Sequence, residues 1–129
     1  MLPAHVRDPE SAAFWITDWL ARLGGDQIVP GAPVTVVRER SGSVGEVRVV
    51  AAVHFGNGRR LHMTVRLGPH LEILRYTFDL VGPSGRIWGR HGHQEQAGFH
   101  HRHDPPGFVA TRSEARTTFL DIETLLHGE

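Results

Sequence analysis

Five of the ten histidines in this 129-residue chain fall between His91 and His103. They lie in the run Arg90-His91-Gly92-His93-Gln94-Glu95-Gln96-Ala97-Gly98-Phe99-His100-His101-Arg102-His103-Asp104. Imidazole titrates near neutral pH, so it serves as acid, base or metal ligand under ordinary conditions. In an extended segment His91 and His93 share one face, His101 and His103 share one face, and His100 lies opposite. Between the pairs, Gln94 to Gly98 is polar and ends in glycine, which suits a loop folding one pair toward the other.

Two chemistries follow. The first is a metal centre built from His91, His93, His101 and His103. A catalytic zinc site needs about three such ligands and an open position, and nickel or copper would suit imidazole as well. The spacing matches no fixed template such as His-Glu-x-x-His, and Glu95 and Asp104 lie close enough in sequence for a mixed ligand set. The second is metal-independent acid–base catalysis on a phosphodiester. Cleaving RNA requires a base for the 2′-hydroxyl and an acid for the leaving oxygen. His93, His101 and His103 supply these, with Arg90 or Arg102 stabilising charge on phosphate and Tyr76, the only tyrosine, assisting. The plainer reading is a solvated histidine-rich tract with incidental metal affinity. His54, His62 and His70 read as ordinary residues of the strand region, and His5 and His127 receive no role.

These residues must be positioned by the elements around them. Asp8-Pro9-Glu10 has the composition of a helix start. Ala12, Trp15, Ile16, Trp19, Leu20 and Leu23 then recur at helical spacing, predicting a helix over about 9–23 that stops at Gly24-Gly25. The period next changes to two, and strands are predicted over about 33–40, 44–55, 59–67, 71–80 and 86–93. Val47, Val49, Ala51 and Val53 share a face, as do Leu61, Met63, Val65 and Leu67. Tyr76, Phe78 and Leu80 oppose Arg75, Thr77 and Asp79. Asn57-Gly58 marks a hairpin turn. A histidine-rich loop is expected over 91–106, then a helix over about 112–127 with Thr111-Arg112-Ser113-Glu114 as its capping box. The expected fold is one α+β domain over 1–129: an antiparallel four- to five-stranded meander with an N-terminal and a C-terminal helix packed on one face.

Composition narrows the function classes. The chain has no cysteine, which excludes disulfides, thiolate metal sites and cysteine nucleophiles. All fourteen basic residues are arginines, balanced by fourteen acids, so the formal net charge is zero. Arginine suits bidentate phosphate contacts, but net charge alone gives no field for a polyanion. No apolar run approaches the roughly 20 residues of a membrane span, and the N-terminus lacks a signal-peptide core. A cytoplasmic protein without a membrane partner is the expectation. No phosphate-binding glycine loop or nucleophile elbow is present.

The stretch from Leu74 to Asp104 resembles the TumE-like toxins of bacterial toxin–antitoxin pairs. The resemblance rests on the strand Leu74-Arg75-Tyr76-Thr77-Phe78 and on Ile87-Trp88-Gly89-Arg90-His91-Gly92-His93. Phe99-His100-His101-Arg102-His103, followed by a C-terminal helix, completes it. Members of that family carry an Asp-Asn pair just after the strand arginine, where this chain has His91-Gly92. The resemblance implies a growth-inhibiting effector directed at RNA or translation, with a helix-turn-helix antitoxin as partner. The leading expectation is a toxin-like effector acting on RNA through the histidine cluster, with metal-independent ribonuclease chemistry as its candidate activity. That chemistry requires no cofactor, and a divalent metal, zinc or nickel, at the cluster is kept open. The alternative is a non-enzymatic interaction domain, metal-stabilised, presenting the Trp15/Trp19 helix to a partner.

Overall fold

A computed structural model describes residues 1–27, 31–113 and 117–128 of the chain. It is an α+β structure with two helices and an eight-stranded antiparallel sheet. Helix α1 spans Pro9–Arg22 and is capped as expected, the Asp8 carboxylate accepting from the Ser11 N–H at 2.9 Å. The strands are β1 (Asp26–Gln27), β2 (Val34–Arg38), β3 (Val44–His54), β4 (Arg60–Leu67), β5 (Ile73–Gly82), β6 (Gly85–Gly92), β7 (His100–His103) and β8 (Ala110–Arg112). Helix α2 is Phe119–His127. The sheet order is β1-β3-β4-β5-β6-β7-β8, with β2 also pairing β3. Among the described residues no helix is long and apolar enough to cross a membrane.

The alternation of β4 and β5, looser in β3, divides the sheet into two unlike faces. Val47, Val49, Leu61, Met63, Val65, Tyr76, Phe78 and Leu80 are buried beneath the helices. Phe119 of α2 is the joint. Its ring lies 4.9 Å from Trp19 of α1 and 5.7 Å from Phe78 of β5, both edge-on, so the two helices and the sheet share one core. Trp15 stacks on Trp19 at 6.5 Å and also leans on Phe119, so these tryptophans are packed within the molecule. The opposite face carries Arg48, His62, Thr64, Arg66, Arg75 and Thr77, and among the described residues no helix covers it.

Three strands exceed the sequence expectation: β1, β7 and β8. Segment 91–106, expected as a loop, contains β7, whose histidines pair with β6 on one side and β8 on the other. Four residues with no apolar alternation leave no strand signature in sequence. Helix α2 begins at Phe119 rather than near 112, because β7 takes Thr111 and Arg112 as ladder partners. The capping box is Thr118 with Asp121, the Thr118 hydroxyl accepting from the Asp121 N–H at 3.1 Å and Asp121 returning the bond at 2.8 Å. Glu114 of the expected box lies outside the described residues.

Candidate metal centre

The β6–β7 pairing sets His91 directly opposite His101, their ring centroids 5.3 Å apart. His93, two residues on from His91, falls on the same face at 4.7 Å from His101. His103, two residues on from His101, lies 4.7 Å from His91 and 5.3 Å from His101. The two sequence pairs therefore converge. One ring nitrogen from each of His91, His93 and His101 lies within 4.8 Å of the others. Zinc–imidazole bonds of about 2.05 Å at tetrahedral angles place nitrogens roughly 3.4 Å apart, so closing the set takes about an ångström of side-chain movement.

The nitrogens turned away from this centre are all engaged. His91 Nε2 lies 2.9 Å from Asp79 Oδ1, and His93 Nδ1 lies 3.1 Å from the Gln94 carbonyl. His101 Nδ1 meets the Gly98 carbonyl at 3.1 Å and that of Phe99 at 3.3 Å. His103 Nδ1 meets the Phe108 carbonyl at 2.7 Å. A carbonyl or an ionised carboxylate can only accept, so each of these ring nitrogens carries the proton. In the neutral imidazole the other nitrogen of each ring is then left with a lone pair, as a metal requires. His101 is 1% exposed, and among the described residues its Nε2 has no hydrogen-bond partner.

Burial pushes the His101 imidazole below its ordinary pKa, helped by the neighbouring His91 and His93; the accepting carbonyls oppose the shift without cancelling it. Burial alone would raise Asp79, but its bond to His91 and the charges of His91, Arg86 and His103 outweigh that and hold the carboxyl below its usual range. Gly89 makes this contact feasible. It sits in register between Asp79 and His103, and a Cβ there would stand 2.6 Å from Asp79 Oδ1 and 3.4 Å from His91 Nε2.

The other expected site residues lie elsewhere. Arg90 and Tyr76 point to the helix side of the sheet, away from His93, His101 and His103. Arg90 donates to Asp104 at 2.9 Å and to the Gly89 carbonyl at 2.8 Å, with its guanidinium 5.6 Å from the Trp88 ring. Arg102 reaches the same Asp104 at 3.4 Å. The Tyr76 hydroxyl accepts from the Thr117 N–H at 3.2 Å and shares a second hydrogen bond with His100 Nδ1 at 2.7 Å. These contacts tie the sheet to the segment leading into α2. The residues that sequence reasoning left out of the site are Asp79 and Gly89. Asp79 had a signal: it alternates with Tyr76, Phe78 and Leu80, which puts it on the face that His91 must occupy.

No protein-family model, curated protein or solved structure matches this chain.

Proposed function

We propose that this chain binds one divalent transition metal, zinc or nickel by ligand type, through His91, His93 and His101, with Asp79 orienting His91. The observation that carries the reading is the buried, unpartnered Nε2 of His101, set among rings whose far nitrogens are held by accepting oxygens. A buried polar nitrogen without a partner costs roughly 1–3 kcal/mol, and a metal ion removes that cost. His103 is the neighbouring side chain available to a fourth position. With that position left to water, a bound metal would supply a Lewis acid and a hydroxide near neutral pH.

Isothermal titration of the tag-free, chelator-stripped chain with zinc tests this. One ion per chain should bind, and His91→Ala/His101→Ala should abolish it while His54→Ala/His62→Ala leaves stoichiometry and affinity unchanged. Equal loss in both double variants, or no binding by the parent chain, overturns the proposal.

A second reading draws on the 4.7 Å edge-on approach of the half-buried His93 to His101, which burial keeps neutral. Such a pair can act as acid and base on RNA without metal, the chemistry of a toxin-like effector silenced by a helix-turn-helix antitoxin. Arg90 and Tyr76 take no part in it from the opposite face. RNA cleavage that persists in EDTA and disappears in His101→Ala is the result this reading requires.

A further inference from the structure

The formal charge of zero is not spread evenly. At strand positions the helix-free face presents Arg48, Arg60, Arg66, Arg75 and Arg112, and Arg86 reaches the same face to pair with Asp79 at 3.5 Å. The acids at strand positions of this face are Asp26, Glu46 and Asp79. Arg48, Arg66 and Arg75 stand side by side on β3, β4 and β5, forming a row across the strands. At about 4.8 Å per strand the row spans roughly 10 Å. Glu46 neutralises part of it, bonding Arg48 and both the Nε and Nη2 of Arg66. Among the described residues, Arg60, Arg75 and Arg112 have no acidic partner.

The row leads to the histidines. Arg75 is two residues from Thr77, which pairs with His91; His91 pairs with His101, and His101 pairs with Arg112. The centre is thus flanked by an unneutralised guanidinium on β5 and another on β8. Like charges set directly opposite in a sheet oppose folding. Arg75 opposite Arg66 is an arrangement that a bound anion relieves.

We infer that this face binds the phosphodiester backbone of single-stranded nucleic acid, drawn along the arginine row toward the histidine centre. Arginine is the side chain fitted to bidentate phosphate contacts. The strand positions of the face carry no Phe, Tyr or Trp on which bases would stack, so the contacts are to backbone and independent of sequence. A single strand is selected over a duplex because the centre is walled. The Gly98 carbonyl closes on the buried His101 and the Phe108 carbonyl on His103, which leaves the half-buried edges of His93 and His103 as the approach. The inference deepens the metal-centre reading by naming what reaches the metal. Its affinity rests on the arginines, and its preference for a single strand rests on the walled centre; neither needs a bound metal.

The test is fluorescence anisotropy on the full chain, in EDTA and 50 mM salt, with labelled 20-nucleotide single-stranded RNA, single-stranded DNA and a duplex of equal length. The single strands should bind, and Arg75→Gln/Arg112→Gln should weaken them at least tenfold. Its slope of log affinity against log salt should be shallower by about 1.4, at roughly 0.7 per lost phosphate contact. A helix-side variant of equal charge change, Arg7→Gln/Arg22→Gln, should stay within twofold. The ratio between RNA and DNA names the backbone taken, and either satisfies the inference. Absence of binding, equal losses in both variants, or tighter binding of the duplex overturns it. Because EDTA is present throughout, a failed zinc titration leaves this result standing, and a failed anisotropy leaves the metal site standing.

Discussion

Asp79 is the residue on which the metal reading can be pressed hardest without touching a ligand. Its carboxylate fixes the tautomer and the orientation of His91. Asp79→Asn should keep the fold and lower zinc affinity 10- to 100-fold, the usual effect of removing an outer-shell partner, as measured by chelator competition. A second prediction concerns acid. In the metal-free chain His101 lies below its ordinary 6.5 and Asp79 below its ordinary 3.8. For His101, stability is fully present above about pH 6.5 and is lost as pH falls through the lower folded value. For Asp79, it is present above pH 3.8 and lost as pH falls through its folded value. The Tm of the stripped protein should therefore fall in two stages on acidification, and His101→Gln should remove the upper stage. A Tm constant between pH 7 and pH 5 contradicts this. At this scale the sequence was legible through parity alone. Parity placed His91 with His93 and His101 with His103, with His100 opposite. The same rule sends Arg90, next to His91, and Tyr76, next to Thr77, to the other side. Their chemical suitability for phosphate had no bearing on that geometry.

Elements built on alternation, and the Asp8-capped start of α1, were readable from residue order, while those held only by neighbours were not. β3, β4 and β5 carry period-two apolar patterns and emerged with the expected faces. β7 and β8 are polar and short, and they exist because β6 offers an unpaired edge. The α2 capping box leaves a weak sequence signal, because Thr118 uses an aspartate at the third helical position, where glutamate or glutamine is the commoner residue. Two predictions belong to this scale. Gly92 lies against the ring of Tyr76, and an added Cβ would overlap the ring's Cδ1–Cε1 edge. Gly92→Ala should cost about 3 kcal/mol, at the upper end of overpacking penalties, in urea denaturation. Tyr76→Phe removes the hydroxyl that joins Thr117 to His100 and should cost about 1–3 kcal/mol, since the Thr117 N–H is left buried. A loss below 0.5 kcal/mol would show that water replaces the phenol.

For the molecule as a whole, the core is one continuous cluster from Met1 to Ile122, with Phe119 at its centre. Phe119→Ala should destabilise it by about 3–5 kcal/mol. Because Trp15 and Trp19 both touch that ring, tryptophan fluorescence should report the loss in the same single transition as far-UV circular dichroism. Separate transitions for the two signals would mean that the helices and the sheet unfold independently. The general α+β arrangement was legible because a protein of this size must bury two helical stripes against one sheet face. The separation of charge was not, since composition sums what the sheet sorts.

That sorting has a consequence for handling the protein. With a pI of about 7.2 the molecule carries almost no net charge at neutral pH, yet its helix-free face has three more bases than acids at the strand positions and the remainder carries the balancing acids. Such a molecule is a dipole. In dilute buffer near pH 7 neighbouring copies attract pole to pole with no net repulsion to keep them apart. Solutions should turn cloudy as salt is dialysed away and clear again near 0.15 M, where screening extends over about 8 Å.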